Sequence, residues 1–171
     1  PIKISKKIFR NIINQTIFAT STQESRPVLT GINFKFNNNK LECTATDSYR
    51  LAKKEIVLSD NANDEYNIII PTKNLNELIR MFNDDDGDVE LHIFDNKVIF
   101  KFDSIIMLSR IINGVYPDTS KLIPTDFSLI IKVNLREFYN AIDRASLLTN
   151  ENEKNTIRFE TKEDYVVISS N

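Results

Sequence analysis

The chain has 171 residues, of which 41% are hydrophobic and 9% aromatic, as in an ordinary folded protein, and this composition argues against disorder. No apolar run reaches the roughly eighteen residues needed to cross a bilayer, no signal peptide is visible, and a single cysteine, Cys43, excludes a disulfide within one chain. The net charge of -2 argues against simple nucleic-acid binding, but basic residues crowd the stretch before Glu24 while acids crowd 84–88. We therefore expect a cytoplasmic protein with one basic face.

The first stretch predicts a strand that runs into a helix. Ile2 and Ile4 alternate with polar residues, Ser5 can cap a helix, and apolar residues then recur at spacings of three and four. The predicted inner side of this helix consists of Ile8, Phe9, Ile12, Ile13, Thr16 and Ile17. The predicted outer side consists of Lys6, Lys7, Arg10, Asn11 and Asn14. A polar loop over 20–26 follows it.

A hairpin is predicted after Pro27. Residues 32–36 and 41–45 alternate apolar and polar side chains, which is the pattern of half-buried strands. The turn sequence Asn37-Asn38-Asn39 separates the two runs. The hairpin places Cys43 at an inward position of its second strand.

The second strand of this hairpin breaks at Asp47-Ser48, whose side chains can bond their own backbone and turn the chain. Tyr49, Arg50 and Leu51 then emerge together, an aromatic, a cation and an aliphatic group in a combination that suits peptide recognition. An ordinary hairpin turn with Leu51 in the core accounts for the same residues. The local pattern leaves both interpretations open.

Further strands are predicted over 51–58 and 66–70, followed by a second helix that Pro71-Thr72 opens and in which Asn74 and Glu77 could form a capping pair. Its apolar stripe comprises Leu75, Leu78, Ile79 and Phe82, and its outer side comprises Lys73, Asn76 and Arg80. Three more strands are predicted over 89–94, 97–102 and 105–112.

Catalytic and metal-binding patterns are weak in this chain. His92, the single histidine, lies inside a predicted strand, which favours a structural or exposed sheet role over general base chemistry. The acidic run 84–88 does not fit the EF-hand spacing and is predicted to be a solvated turn. No phosphate loop or nucleophile elbow is visible. We expect no catalytic residue, no metal and no cofactor; a hydrolase that depends on Asp47 or His92 is a distant alternative.

The opening pattern recurs later in the chain. Four residues of the first strand and helix are matched at a constant offset of 129 by Ile131, Val133, Phe138 and Ile142. Such a repeat predicts one complete unit, residues 1–124, and the truncated first part of another, residues 125–171. Each complete unit should be α+β, with two helices packed on antiparallel sheets.

Two motifs carry a resemblance to a known family. The first is Thr46-Asp47-x-x-Arg50-Leu51-Ala52, fifteen residues after Gly31, and the second is Tyr116-Pro117-Asp118 followed by Lys121-Leu122-Ile123-Pro124. They resemble the bacterial DNA sliding clamp, the β subunit of the DNA polymerase III holoenzyme. Ser48 and Tyr49 depart from that pattern, because the family often has Gly and His there.

The resemblance implies the DNA clamp fold, with the family's middle domain followed by the start of its third. In that family three domains per chain and two chains form a ring around duplex DNA, so a homodimer is implied for the full-length protein, but the ring is not expected from this stretch alone. The implied function is a non-catalytic processivity factor that encircles duplex DNA and tethers the replicative polymerase. A stand-alone peptide-binding module that does not encircle DNA is the alternative.

The resemblance also implies two sets of site residues. Sequence-independent contact with double-stranded DNA is expected at Lys6, Lys7, Arg10, Gln23, Arg26, Lys73 and Arg80. A hydrophobic cleft for short Leu- and Phe-containing motifs of the polymerase catalytic subunit, the clamp loader and repair polymerases is expected at Leu29, Thr46, Ser48, Tyr49, Arg50, Leu51, Pro117, Lys121 and Leu122. The family builds the far wall of this cleft from its C-terminus, which this stretch does not include.

Overall fold

In a computed structural model of the chain, residues 1–58, 65–83, 86–149 and 156–170 are described. Residues 59–64, between the strands predicted over 51–58 and 66–70, lie outside these ranges, as do Asp84 and Asp85 of the acidic run. The chain divides into two compact units, Pro1–Asp118 and Thr119–Asn171. The division comes earlier than the boundary expected after residue 124, and the domain limits 1–124 and 125–171 stay a prediction.

The first unit contains helices and strands in the order expected from the periodicity. Its elements are β1 (Ile2–Ser5), α1 (Lys6–Thr16), β2 (Gly31–Asn37), β3 (Lys40–Thr46), β4 (Leu51–Val57), β5 (Tyr66–Pro71), α2 (Thr72–Arg80), β6 (Asp88–Ile93), β7 (Lys97–Phe102) and β8 (Ile105–Arg110). Short 3-10 turns follow α1 at Ile17–Ala19 and precede β2 at Pro27–Thr30. The second unit contains α3 (Leu135–Ser146), β9 (Ile157–Thr161) and β10 (Val166–Ser170).

The strands of the first unit form two antiparallel sheets, with orders β4-β3-β2-β5 and β1-β6-β7-β8. In the first sheet Phe34 of β2 lies opposite Cys43 of β3, so the inward residues of the predicted hairpin share one face. Gly31 begins β2 where an added Cβ would lie 2.7 Å from the Ile70 carbonyl oxygen, which leaves no room for a larger residue. The predicted α+β class is confirmed.

Aromatic side chains join helix α1 to both sheets. The Phe9 ring is fully buried, with its centroid 6.0 Å from that of Phe34 in one sheet and 6.0 Å from that of Phe100 in the other. Phe82, just after α2, closes the cluster at 6.3 Å from Phe9. Such a ring cluster excludes water from the centre of the unit and anchors α1 in a single position.

The predicted division of α1 into an inner and an outer side was wrong at two residues. Ile8, expected inside, is 48% exposed, whereas Lys6, expected outside, is 1% exposed. Lys6 tolerates this position because its ammonium contacts both carboxylate oxygens of Asp103, at 3.0 and 3.1 Å. The charge is therefore compensated while the aliphatic stem packs inside.

The predicted capping pair of α2 was also wrong. No side chain caps the start of this helix, which Pro71 and Thr72 open as expected. Asn74 instead donates from Nδ2 to the Ser109 hydroxyl at 2.7 Å, and Glu77 pairs with Arg80 at 3.0 Å. Ser5 likewise precedes α1 without a side-chain capping bond.

Candidate functional site

The turn between β3 and β4 is held by its own side chains. The Thr46 hydroxyl donates to the Arg50 carbonyl oxygen at 2.8 Å and accepts from the Ser48 amide at 3.1 Å. Asp47 Oδ1 accepts from the amides of Tyr49 and Arg50, both at 3.0 Å, and its Oδ2 accepts from Arg50 Nε at 3.2 Å. The self-bonding expected of Asp47-Ser48 comes from Thr46 and Asp47, and it gives the turn a defined shape.

The same contacts perturb the pKa of one group in the turn. The backbone amides of Tyr49 and Arg50 favour the ionised form of Asp47 and lower the pKa of its carboxyl from the ordinary 3.8. Ser48 has a φ of 78°, a left-handed conformation that glycine adopts without steric cost. A serine here is under local strain, and this geometry explains why a glycine suits the position.

The turn exposes a mixed aromatic and cationic surface. Tyr49 is 96% exposed, and the Arg50 guanidinium lies 6.0 Å from the centroid of the Phe18 ring. Arg26 donates from Nη1 to the Ser48 hydroxyl at 2.8 Å. The structure therefore brings Arg26 to the turn, although it was assigned to the DNA-contacting set, and it adds Phe18, an exposed aromatic that the sequence reasoning did not single out.

The second motif meets the first through Tyr116. Its hydroxyl oxygen accepts a hydrogen bond from the Thr46 amide at 3.0 Å. Burial raises the pKa of Tyr116 to about 12, although the same amide bond acts in the opposite direction. Pro117, next in the motif, is exposed. Tyr116 was noted only as a motif residue, so its contact with Thr46 was not anticipated.

The residues expected to form an apolar cleft differ widely in exposure. Leu29 is 2% exposed and Thr46 6% exposed, so both lie beneath the surface, whereas Leu51 is half-buried. Lys121 and Leu122 belong to the second unit, where both are exposed. The part that each plays in a peptide cleft stays a prediction.

The helix side expected to contact DNA is reduced by one residue. Lys6 is buried and paired with Asp103, so it is not available at the surface. Lys7 and Lys73 are exposed on α1 and α2, which lie side by side.

Other expected DNA-contacting residues make internal contacts. Arg10 is half-buried and donates from Nη2 to the Phe82 carbonyl oxygen at 2.6 Å. Arg80 is exposed but pairs with Glu77, and Gln23 is exposed in the loop that follows α1. Among the cations of α1 and α2, Lys7 and Lys73 are therefore the clearest candidates for contact with DNA.

His92, which was considered for general base chemistry, lies in an ordinary structural setting. His92 lies in β6, with its Nε2 3.4 Å from Glu90 Oε2. The pKa of Glu90 is lowered mainly by its hydrogen bond with Lys3 and, to a smaller extent, by the one with His92. Cys43 is buried, and burial raises the pKa of its thiol. Among the described residues no group of three or more His, Cys, Asp or Glu side chains is placed to hold a metal ion. No helix in the described ranges is long and apolar enough to cross a membrane.

Family models and a curated relative both match the chain to the DNA polymerase III beta subunit. Residues 3–118 match the family model described as the central domain of the DNA polymerase III beta subunit, and residues 120–171 match its C-terminal domain. The beta sliding clamp of Staphylococcus epidermidis is 44% identical over 169 residues, which is 99% of this chain and 45% of that protein.

Two solved structures extend the likeness to three dimensions. The DNA polymerase sliding clamp of Bacillus subtilis has a TM-score of 0.96 at 43% identity, covering 99% of this chain and 45% of that chain. The DNA polymerase III beta chain of Streptococcus pneumoniae has a TM-score of 0.92 at 38% identity, covering 98% and 45%. The chain therefore spans less than half the length of the relatives that it matches.

Proposed function

Because this chain belongs to the DNA polymerase III beta subunit family, the sliding clamps, and has the DNA clamp fold, we propose that it forms part of a processivity factor. The whole protein would encircle duplex DNA as a homodimeric ring in the bacterial cytoplasm and tether the replicative polymerase without catalysing a reaction itself. Residues 1–124 would be a complete domain and 125–171 the start of the next. A closed ring leaves DNA slowly even when each of its contacts is weak.

The observation that carries the partner-binding part of this proposal is the Thr46–Arg50 turn. Its backbone is held by the side chains of Thr46 and Asp47, and it presents Tyr49 and Arg50 to solvent. Preorganised, exposed aromatic and arginine groups are typical of peptide-docking surfaces, because little conformational freedom is lost on binding. Leu51 and Pro117 would supply apolar contact for the Leu and Phe of a partner's motif.

The DNA-contacting part of the proposal rests on the exposed lysines of α1 and α2. Lys7 and Lys73 offer positive charge from two neighbouring helices. Such groups attract phosphates without reading bases, which is the mode a sliding protein requires. Gln23 and Arg80 would add polar contact at the same surface, and Lys6 has no part in it.

Paired titrations test both parts of the proposal. Fluorescence anisotropy with a labelled duplex should show weak binding, independent of sequence, that falls steeply with salt. The double variant Lys7→Ala, Lys73→Ala should lower the slope of log affinity against log salt by about two. The matched control Lys35→Ala, Lys101→Ala removes two exposed strand lysines and should change the slope little.

The peptide arm uses a short fluorescent peptide that carries Leu and Phe, with a control peptide in which both are Ala. Leu51→Glu should abolish detectable binding, since it places a charge where an apolar side chain is expected to seat. Its thermal unfolding is measured alongside to confirm that the variant folds. Peptide binding without any DNA binding would favour the stand-alone peptide module, and sequence-selective DNA binding that survives high salt would contradict the sliding mechanism.

A further inference from the structure

Tyr116 satisfies a backbone group at the place where the ladder between β2 and β3 has ended. The paired register of these strands stops at Asn33 and Thr44, two residues before Thr46. The Thr46 amide finds its acceptor in the Tyr116 hydroxyl at 3.0 Å, across 70 residues of sequence. A buried amide without an acceptor is strongly disfavoured, so this bond restrains the end of β3.

Thr46 is also the residue from which the turn is organised. Its hydroxyl makes two hydrogen bonds, donating to the Arg50 carbonyl oxygen and accepting from the Ser48 amide. With Thr46 only 6% exposed, its backbone position determines where the whole turn stands relative to the sheet. A single hydroxyl therefore acts on the turn through Thr46 without touching the exposed side chains of Tyr49 and Arg50.

We propose that the Tyr116 hydroxyl is a positioning group that sets the peptide-binding shape of the Thr46–Arg50 turn. The inference rests on the proposed peptide-binding function and adds to it a residue outside the contact surface. Tyrosine and phenylalanine would differ here in function although both fill the same apolar space. The Tyr116 hydroxyl oxygen therefore links the two motifs.

The test is Tyr116→Phe, which removes the hydroxyl and keeps the ring. Tyr139→Phe, at a tyrosine that is 66% exposed in the second unit, is the matched control. Two readouts are taken on the 171-residue chain: backbone amide shifts of Thr46, Ser48 and Arg50 by NMR, and affinity for the Leu- and Phe-containing peptide. A global unfolding curve of each variant shows whether the fold itself is affected.

We expect the Tyr116→Phe variant to remain folded and to show changed chemical shifts at these amides. Its affinity for the peptide should fall by about five- to tenfold, because the peptide dissociates faster. Tyr139→Phe should change neither readout. Unchanged amides in Tyr116→Phe, or shifted amides with unchanged peptide affinity, would overturn the inference. If the wild-type chain itself fails to bind the peptide, the proposed function fails, and the amide shifts still decide whether Tyr116 positions the turn.

Discussion

Lys6 and Asp103 form an ion pair of unequal exposure, and this inequality predicts which partner matters more for stability. The Lys6 side chain is 1% exposed and that of Asp103 37% exposed. Replacing Asp103 with Asn removes the carboxylate that the Lys6 ammonium contacts, while the ammonium itself stays in the interior. Asn also tolerates the left-handed backbone at this position, where φ is 49°, so the substitution tests charge and not backbone strain.

The expected magnitudes follow from that geometry. Removing one partner from a fully buried pair costs about 3–5 kcal/mol, and an exposed pair contributes only about 0–1 kcal/mol. Because Asp103 reaches water, we expect Asp103→Asn to lower the free energy of unfolding by about 1.5–3 kcal/mol. Lys6→Met keeps the aliphatic stem and lets the carboxylate of Asp103 hydrate, so its cost should be about 0–1 kcal/mol.

Urea unfolding of the wild type, both single variants and the double variant measures these differences. With a denaturant slope of about 2 kcal/mol/M, Asp103→Asn should lower the midpoint by about 1 M. The double variant should resemble Lys6→Met and be more stable than Asp103→Asn alone, since it no longer buries the ammonium that lost the Asp103 carboxylate. If Lys6→Met is the more damaging single change, or if the double variant loses the sum of both effects, the buried-charge explanation is refuted.

Two further predictions concern pH and local stability. Because the folded state lowers the pKa of Asp47, the stabilisation that its carboxylate provides is present above the ordinary value of 3.8 and is lost as the pH falls through the lowered folded value. The NMR amide shifts of Tyr49 and Arg50 should therefore move in acid, and Asp47→Asn should already show the acid-like shifts at neutral pH. Helix α3 has no buried residue whereas α1 has five, so amide hydrogens of α3 should exchange well before those of α1 in a hydrogen-exchange experiment. Equal protection of the two helices would contradict that ranking.

Periodicity was a good guide wherever neighbouring residues decide the structure. The alternation over 32–36 and 41–45 predicted a hairpin whose inward residues are paired as expected, with Phe34 opposite Cys43. The same reasoning located both helices of the first unit. Side-chain spacing decides which face of a strand or helix is apolar, and that information is local.

The errors arose where a contact with a residue distant in the sequence determines the position of a side chain. Lys6 was assigned to the outer side of α1 from the helical spacing of the apolar residues, but Asp103, 97 residues away, compensates its charge. Tyr116 contacts Thr46 across 70 residues, and Arg26 contacts Ser48 across 22. A single sequence carries no direct signal of such contacts, so the roles of Tyr116 and Arg26 at the turn could not be read from spacing.

Mapping where a partner peptide docks decides whether the Thr46–Arg50 turn is the partner surface. Backbone amide shifts of the 171-residue chain are followed by NMR while the Leu- and Phe-containing peptide is added, with the control peptide lacking both as reference. We expect saturable shifts of the amides at Thr46–Leu51 and beside Pro117, with the amides of α1 and α2 unchanged. Changes confined to α1 and α2, with the Thr46–Leu51 amides unmoved at saturation, would contradict the assignment of the turn as the partner surface.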